Sequence, residues 1–187
     1  MFKSVLARLN LRWFWEYLTP DFRKDFWQQQ IFPQHRWLLT KIKALKPRSI
    51  FEPGCGFGRN LSYLIKQGIK PSILTGADFA FQPPDSIKFV RANVLKLPFP
   101  ADNFDLVFTH GLLMHLKPQN LVKAMSELIR VSKKYLILIE EVRSRPGQLN
   151  YFTWAHDYEK LIRQFKLKVL ESHLDKQLKL KCLLIQK

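Results

Sequence analysis

Apolar and polar positions along the chain change their period near residue 48. Before it, Phe2, Val5, Leu6, Leu9 and Trp13 recur close to every 3.6 residues, and Trp37, Leu38, Ile42 and Leu45 form a second helical stripe that Pro47 stops. After it, short apolar runs alternate with helical stripes. Ser49-Ile50-Phe51 reads as a strand, and Leu61, Leu64 and Ile65 as the inward face of a helix ended by Gly68. Ile73-Leu74-Thr75 leads to Asp78 as a second strand, Ile87 to Val90 is a third, and Phe104 to Thr109 a fourth. A helix from about Pro118 carries Leu121, Val122, Met125, Leu128 and Ile129 on one side. Tyr135 to Ile139 is apolar on both faces, as a central parallel strand must be. Tyr158, Leu161, Ile162 and Phe165 mark another helix. Two alternating segments, Leu167 with Val169 and Leu178 through Leu184, joined by Ser172 to Lys176, then predict an antiparallel hairpin at the sheet edge. This order implies an α/β domain around a mostly parallel sheet, with helices on both faces.

With 187 residues the chain suits one such domain, which buries a core without staples. Cys55 and Cys182, far apart, form neither a disulfide framework nor a zinc set, which suits a reducing compartment and a cytoplasmic location. The strictly apolar run Tyr135 to Ile139 is far below the roughly 20 residues a membrane span needs. Net charge is +16, unevenly spread: 10 basic and 3 acidic residues over 1–48, 11 and 8 over 49–141, 10 and 4 over 142–187. The basic flanks would attract phosphates, nucleic acid included, or would serve as solvated faces; the middle is nearly balanced. Residues 1–33 are a separate, aromatic and basic helical extension ahead of a domain over 34–187, with Trp13, Phe14, Trp15, Tyr17, Phe22, Phe26, Trp27 and Phe32 among arginines and lysines. With Tyr151, Phe152, Trp154 and Tyr158 these rings form either a lid or helix-on-sheet packing. Residues 1–18 also have the pattern of a helix that touches a membrane surface.

Candidate chemistry begins at Glu52-Pro53-Gly54-Cys55-Gly56-Phe57-Gly58, where a strand turns into a helix. Glycines there let backbone approach a ligand and adopt positive φ, and the helix N-terminus offers unpaired N–H groups. The spacing is G-x-G-x-G, not the G-x-G-x-x-G of dinucleotide enzymes. Asp78 ends the second strand, where a carboxylate can accept the hydroxyls of a ribose; Asn93 follows the third.

Together with Gly76-Ala77-Asp78, Asn93 to Phe99 and Phe104-Asp105-Leu106-Val107 through His115, that loop resembles the class I S-adenosylmethionine-dependent methyltransferases, of the type 11 kind, over about residues 35 to 187. The stretch from Phe104 to Glu140 is similar to methylases found with pseudaminic acid and related sugar biosynthesis. The resemblance implies a Rossmann-like, mostly parallel seven-stranded sheet with a C-terminal antiparallel hairpin, and S-adenosylmethionine as cofactor. It implies that Glu52, Gly54, Gly56 and Gly58 border the methionine part of the cofactor, that Asp78 holds the ribose, and that Phe79 lies against the adenine. Asn93, where the family most often has Asp, would face the adenine edge, and Thr109 and His110 would line the sulfonium end. Two departures stand out: that asparagine, and the eight residues between Asp78 and Ile87, fewer than the dozen or more a parallel crossover usually takes.

Methyl transfer is an in-line displacement, so the protein supplies alignment, water exclusion and at most a base. His110 and His115 are the catalytic candidates and His156 a third; His110 is the best placed, at a strand's carboxyl end, while for His115 and His156 a core histidine with satisfied nitrogens is the more common role. No constellation with metal-ligand spacing is present; Glu140-Glu141 with Asp157 does not make one. The expected function is methylation, at oxygen or nitrogen, of a small acceptor, sugar-like or lipid-linked. A nucleic-acid methyltransferase using the basic flanks and a non-catalytic binding module of the same fold are the alternatives. Against the former, His110-Gly111-Leu112-Leu113 stands where base-amino methyltransferases carry an Asn/Asp-Pro-Pro-aromatic clamp.

Overall fold

The computed structural model describes Trp15, Lys24 and residues 30–143, 145–150 and 152–187. The amphipathic segment with its membrane contact over residues 1–18, Trp15 excepted, the rings of Phe22, Phe26 and Trp27, and Tyr151 lie outside the described residues. Helix α1 (Pro33–Leu45) starts on a proline and ends where Lys46 turns left-handed at φ 48 ahead of Pro47. Then follow β1 (Ile50–Pro53), α2 (Arg59–Lys66), β2 (Leu74–Asp78), β3 (Lys88–Arg91), β4 (Phe104–His110), α3 (Pro118–Val131) and β5 (Ser132–Glu141). A short pair, β6 (Gly147–Asn150) and β7 (Thr153–Ala155), precedes α4 (Tyr158–Gln164), β8 (Lys168–Asp175) and β9 (Leu180–Gln186).

Seven strands form one sheet in the order β3-β2-β1-β4-β5-β9-β8, parallel except for β9 and β8. Alternate residues of each central strand serve opposite faces. Ile50, Leu106, Phe108, Ile137 and Ile139 pack with Leu38 and Ile42 of α1 and Leu61 and Leu64 of α2. Phe51, Val107, Leu136 and Leu138 pack with Leu121, Met125 and Leu128 of α3 and Leu161 of α4. Both faces are therefore buried, which is why these strands read as continuous apolar runs.

The expected fold is present, with three local differences. The C-terminal hairpin turns at 176–179 rather than at Ser172 to Lys176, and Val169, Leu170 and Leu174 of its outer strand stay exposed. The β6–β7 pair was not anticipated, because Gly147-Gln148-Leu149-Asn150 carries no apolar alternation. Third, β3 pairs with β2 in parallel register although no helix links them. The short crossover is possible because the Asp78 carboxylate takes over its backbone: Oδ1 accepts the N–H groups of Ala80 and Phe81 at 2.8 and 2.9 Å. No helix among the described residues is long and apolar enough to cross a membrane.

Strand order reverses between β1 and β4, where chains leaving the carboxyl ends of neighbouring strands diverge and open a crevice.

Candidate active site

The loop from β1 to α2 borders that crevice. Gly54, Gly56 and Gly58 all have positive φ (69°, 55° and 76°), a region where a side chain costs roughly 1–2 kcal/mol. Each also has a distinct surrounding. A Cβ on Gly54 would lie 2.5 Å from Leu112 Cδ1, and one on Gly58 2.6 Å from Pro83 Cβ, so these two are closed by protein. A Cβ on Gly56 would meet no atom of the described residues within 4 Å. Its N–H donates to Asp78 Oδ2 at 3.0 Å, so one carboxylate ties the glycine loop to the crossover after β2.

A cavity of about 550 Å³ opens between these loops and the carboxyl ends of β1, β2 and β4, within the roughly 300–1,000 Å³ of small-ligand sites. On its floor, Asn60 in the first turn of α2 donates through Nδ2 to Glu52 Oε1, and its Oδ1 lies 3.0 Å from His110 Nδ1. The His35 ring, from α1, meets His110 edge-on at 4.9 Å between centroids. Glu52 is 1% exposed, its Oε2 has no hydrogen-bond partner among the described residues, and burial pushes its carboxyl up to about 8. Burial, aided by the Arg59 cation, lowers His35 to about 4 and holds His110 well below the usual histidine range. All three groups are thus driven toward their neutral forms.

Beyond β4, Gly111 (φ 66°) turns the chain into residues 112–116. Glu140, at the end of β5, holds this segment by accepting the N–H groups of Leu112 and Met114 at 3.2 and 3.3 Å; burial raises its carboxyl to about 7. The segment carries His115, whose Nδ1 donates to the Phe152 carbonyl at 2.9 Å and whose pKa burial lowers to about 4. Trp15 packs edge-on to His115, Phe152 and Phe81 at 4.7, 5.8 and 6.1 Å. One side of the cavity is therefore polar and the other aromatic.

Of the residues singled out in the sequence, Glu52, Gly54, Gly56, Asp78, Phe79, Asn93, His110 and His115 line this cavity. Gly58 and Thr109 do not: the former is sealed by Pro83 and Ile87, and the latter is fully buried beside Glu140. Asn93 is exposed at the rim and its Oδ1 accepts the Leu95 N–H at 2.9 Å. His156 donates from Nε2 to the Leu116 carbonyl and fastens the loop from behind. Among the aromatics, Trp15 and Phe152 reach the cavity wall or its immediate backing, whereas Trp37 bonds Glu171 at 3.0 Å, and Trp154 and Tyr158 are core residues. Sequence reasoning missed Asn60, Arg59, His35, Phe81 and Glu140. The first two follow the third glycine directly, in the helix turn nearest any ligand of that loop, and Glu140 is the first carboxylate after the apolar strand. Nothing in the sequence marks His35. Among the described residues no three His, Cys, Asp or Glu side chains gather as a metal would require.

Residues 51–138 match the family model described as a methyltransferase domain. An uncharacterized methyltransferase of Schizosaccharomyces pombe is 34% identical over 114 residues, 52% of this chain and 40% of that protein. The tRNA N(3)-methylcytidine methyltransferase Mettl2 of Drosophila melanogaster is 25% identical over 161 residues, 78% of this chain and 46% of that one. The chain thus spans less than half the length of these relatives. Among solved structures, the 1,6-didemethyltoxoflavin-N1-methyltransferase of Burkholderia thailandensis, holding its substrate and S-adenosylhomocysteine, superposes with a TM-score of 0.75 at 19% identity, over 95% of this chain and 87% of that one. The magnesium protoporphyrin IX methyltransferase of Synechocystis PCC 6803 with bound S-adenosylmethionine gives 0.65 at 14% identity, over 92% and 97%.

Proposed function

We propose that the chain carries a class I S-adenosylmethionine-dependent methyltransferase domain and that it transfers a methyl group to nitrogen or oxygen of a small, flat, weakly polar acceptor. The observation that carries this reading is the two-sided cavity at the strand switch point. Its polar side fits the cofactor on two independent features. The buried Glu52 Oε2, lacking a partner among the described residues, suits an ammonium group, and the open space above Gly56 is a cradle that any side chain would fill. Asp78 keeps lone pairs for ribose hydroxyls while its backbone bonds hold both loops, and Phe79 and the rim at Asn93 border the adenine. Bound there, S-adenosylmethionine supplies a methyl carbon made electrophilic by its sulfonium sulfur.

The chain's own residues then orient and shield. Leu112, pressed on Gly54 and held by Glu140, fixes the wall between the glycine loop and the aromatic side. Trp15, Phe81 and His115 exclude water and offer ring faces and edges, which suit a flat molecule better than a sugar or a lipid chain. His110 and His115, both held neutral, are the only imidazoles on the described wall, and His110 is the base argued below.

The basic flanks and the tRNA-methylating relative support a second reading, an RNA acceptor. Incubation with methyl-labelled S-adenosylmethionine and either a low-molecular-weight cell extract or total tRNA separates the two. Label in the small-molecule fraction is expected; label in tRNA alone replaces the first reading with the second.

A further inference from the structure

We propose that Asn60 is a positioning residue that fixes the His110 imidazole with its proton on Nδ1, so that Nε2 takes the proton released from an acceptor nitrogen. The assignment rests on the methyl-transfer reading for the proton's source, and on the hydrogen-bond pattern alone for the tautomer. Asn60 has one donor and one acceptor end. Its Nδ2 donates to Glu52, which leaves Oδ1 facing His110 Nδ1 at 3.0 Å. A carbonyl oxygen only accepts, so Nδ1 must carry the hydrogen. Nε2 is then a lone pair with no hydrogen-bond partner among the described residues, on a ring that lines the cavity.

The orienting group also defines which acceptor this base can serve. Where a carboxylate orients a histidine, it stabilises the imidazolium and strengthens the base. Here an amide takes that place. Among the described residues, the charged and titratable groups around the ring are Arg59 on α2, His35 on α1 and, through Asn60, Glu52 on β1, and Arg59 and His35 disfavour a second positive charge. Such a base cannot ionise an aliphatic hydroxyl. It suffices for a nitrogen that attacks with its own lone pair: the N–C bond forms as the C–S bond breaks, with that pair left on sulfur. The nitrogen becomes cationic and its N–H acidic; the N–H pair stays on nitrogen and the proton passes to His110 Nε2.

The tautomer is read directly by long-range proton–nitrogen NMR on protein carrying labelled histidine, with His110 identified by its loss in His110→Gln. In the free protein at pH 7.5 the expected pattern is a protonated Nδ1 and an unprotonated Nε2, unchanged down to pH 5.5. Asn60→Asp should raise the His110 titration midpoint by at least about one unit, because a carboxylate now faces Nδ1. Asn60→Ser, which keeps a polar group but cannot span to His110, should give a mixture of tautomers. With S-adenosylhomocysteine present, millimolar benzimidazole, a flat N–H donor, should move the Nε2 resonance and leave Nδ1 in place. A proton on Nε2, an imidazolium at pH 7, an unshifted midpoint in Asn60→Asp, or an Nε2 signal indifferent to benzimidazole would each overturn the assignment. The tautomer needs no cofactor, so it fails or stands apart from methyl transfer itself.

Discussion

Gly56 and Gly58 are two residues apart, share positive φ, and should respond to alanine in opposite ways. In Gly56→Ala the new methyl group meets no atom of the described residues within 4 Å, so the cost is left-handed backbone, roughly 1–2 kcal/mol, partly offset by about 0.4–1 kcal/mol from a less flexible unfolded chain. The net loss is about 1 kcal/mol, or about 2–4 °C in Tm for a domain of this size. The same methyl stands in the cavity, so affinity for S-adenosylhomocysteine should fall at least tenfold, about 1.4 kcal/mol. In Gly58→Ala the Cβ would lie 2.6 Å from Pro83 Cβ and 2.9 Å from Ile87 Cδ1. Overpacking adds about 1–3 kcal/mol to the backbone cost, and the Tm loss should be at least twice that of Gly56→Ala. Thermal unfolding and calorimetric titration on the two variants test this. A Gly56→Ala protein that binds like wild type, or that is as unstable as Gly58→Ala, would refute the placement of the ligand over Gly56.

Other consequences follow from the carboxylates. Asp78 accepts three backbone N–H groups, and Asp78→Asn leaves one oxygen to serve them; the loss of charge-assisted bonds worth about 1.5–3 kcal/mol each should lower Tm measurably even without ligand, and an unchanged Tm would contradict that role. Glu140 has a folded pKa of about 7, above its unfolded value, so it binds a proton more readily in the folded state. The stability it contributes is present below about pH 4.5 and is lost as pH rises through 7; chemical denaturation from pH 6 to 8 should show a decline that is shallower in Glu140→Gln, and equal slopes would refute it. His35 and His115, lowered to about 4, act in the other direction: their contribution is present above about pH 6.5 and is lost as pH falls toward 4. The decline between pH 6.5 and 4 should be reduced in His115→Gln. If an ammonium group pairs with Glu52, whose free carboxyl titrates at about 8, binding at pH 7 must release a proton. The heat of S-adenosylhomocysteine binding should then differ between buffers of low and high ionisation enthalpy, and affinity should rise from pH 6 to 8; heats independent of buffer would exclude the pairing.

Much of this architecture is legible in the sequence because buried parallel strands must be apolar on both faces. Ile50-Phe51 and Tyr135 to Ile139 therefore stand out, and the glycines and Asp78 follow from where those strands end. The edges are less legible. Strand β8 exposes Val169, Leu170 and Leu174, so its pattern does not record a buried face, and the β2–β3 crossover depends on side-chain bonds from Asp78 rather than on periodicity. In the site, residues attached to the motif could be named, but His35 reaches His110 across 75 positions, and the Trp15 contact with His115 spans a hundred. Gly58 and Thr109 show the converse: both belong to the motif, yet Gly58 packs against Pro83 and Thr109 lies beside Glu140, outside the cavity lining, and sequence alone does not record that packing.

We place a cofactor in the crevice between β1 and β4. The most direct test is calorimetric titration of S-adenosylmethionine and S-adenosylhomocysteine into the wild-type protein. One-to-one binding in the micromolar range, about −8 kcal/mol, is the predicted result. Absence of binding by both ligands would contradict the claim and leave only the fold.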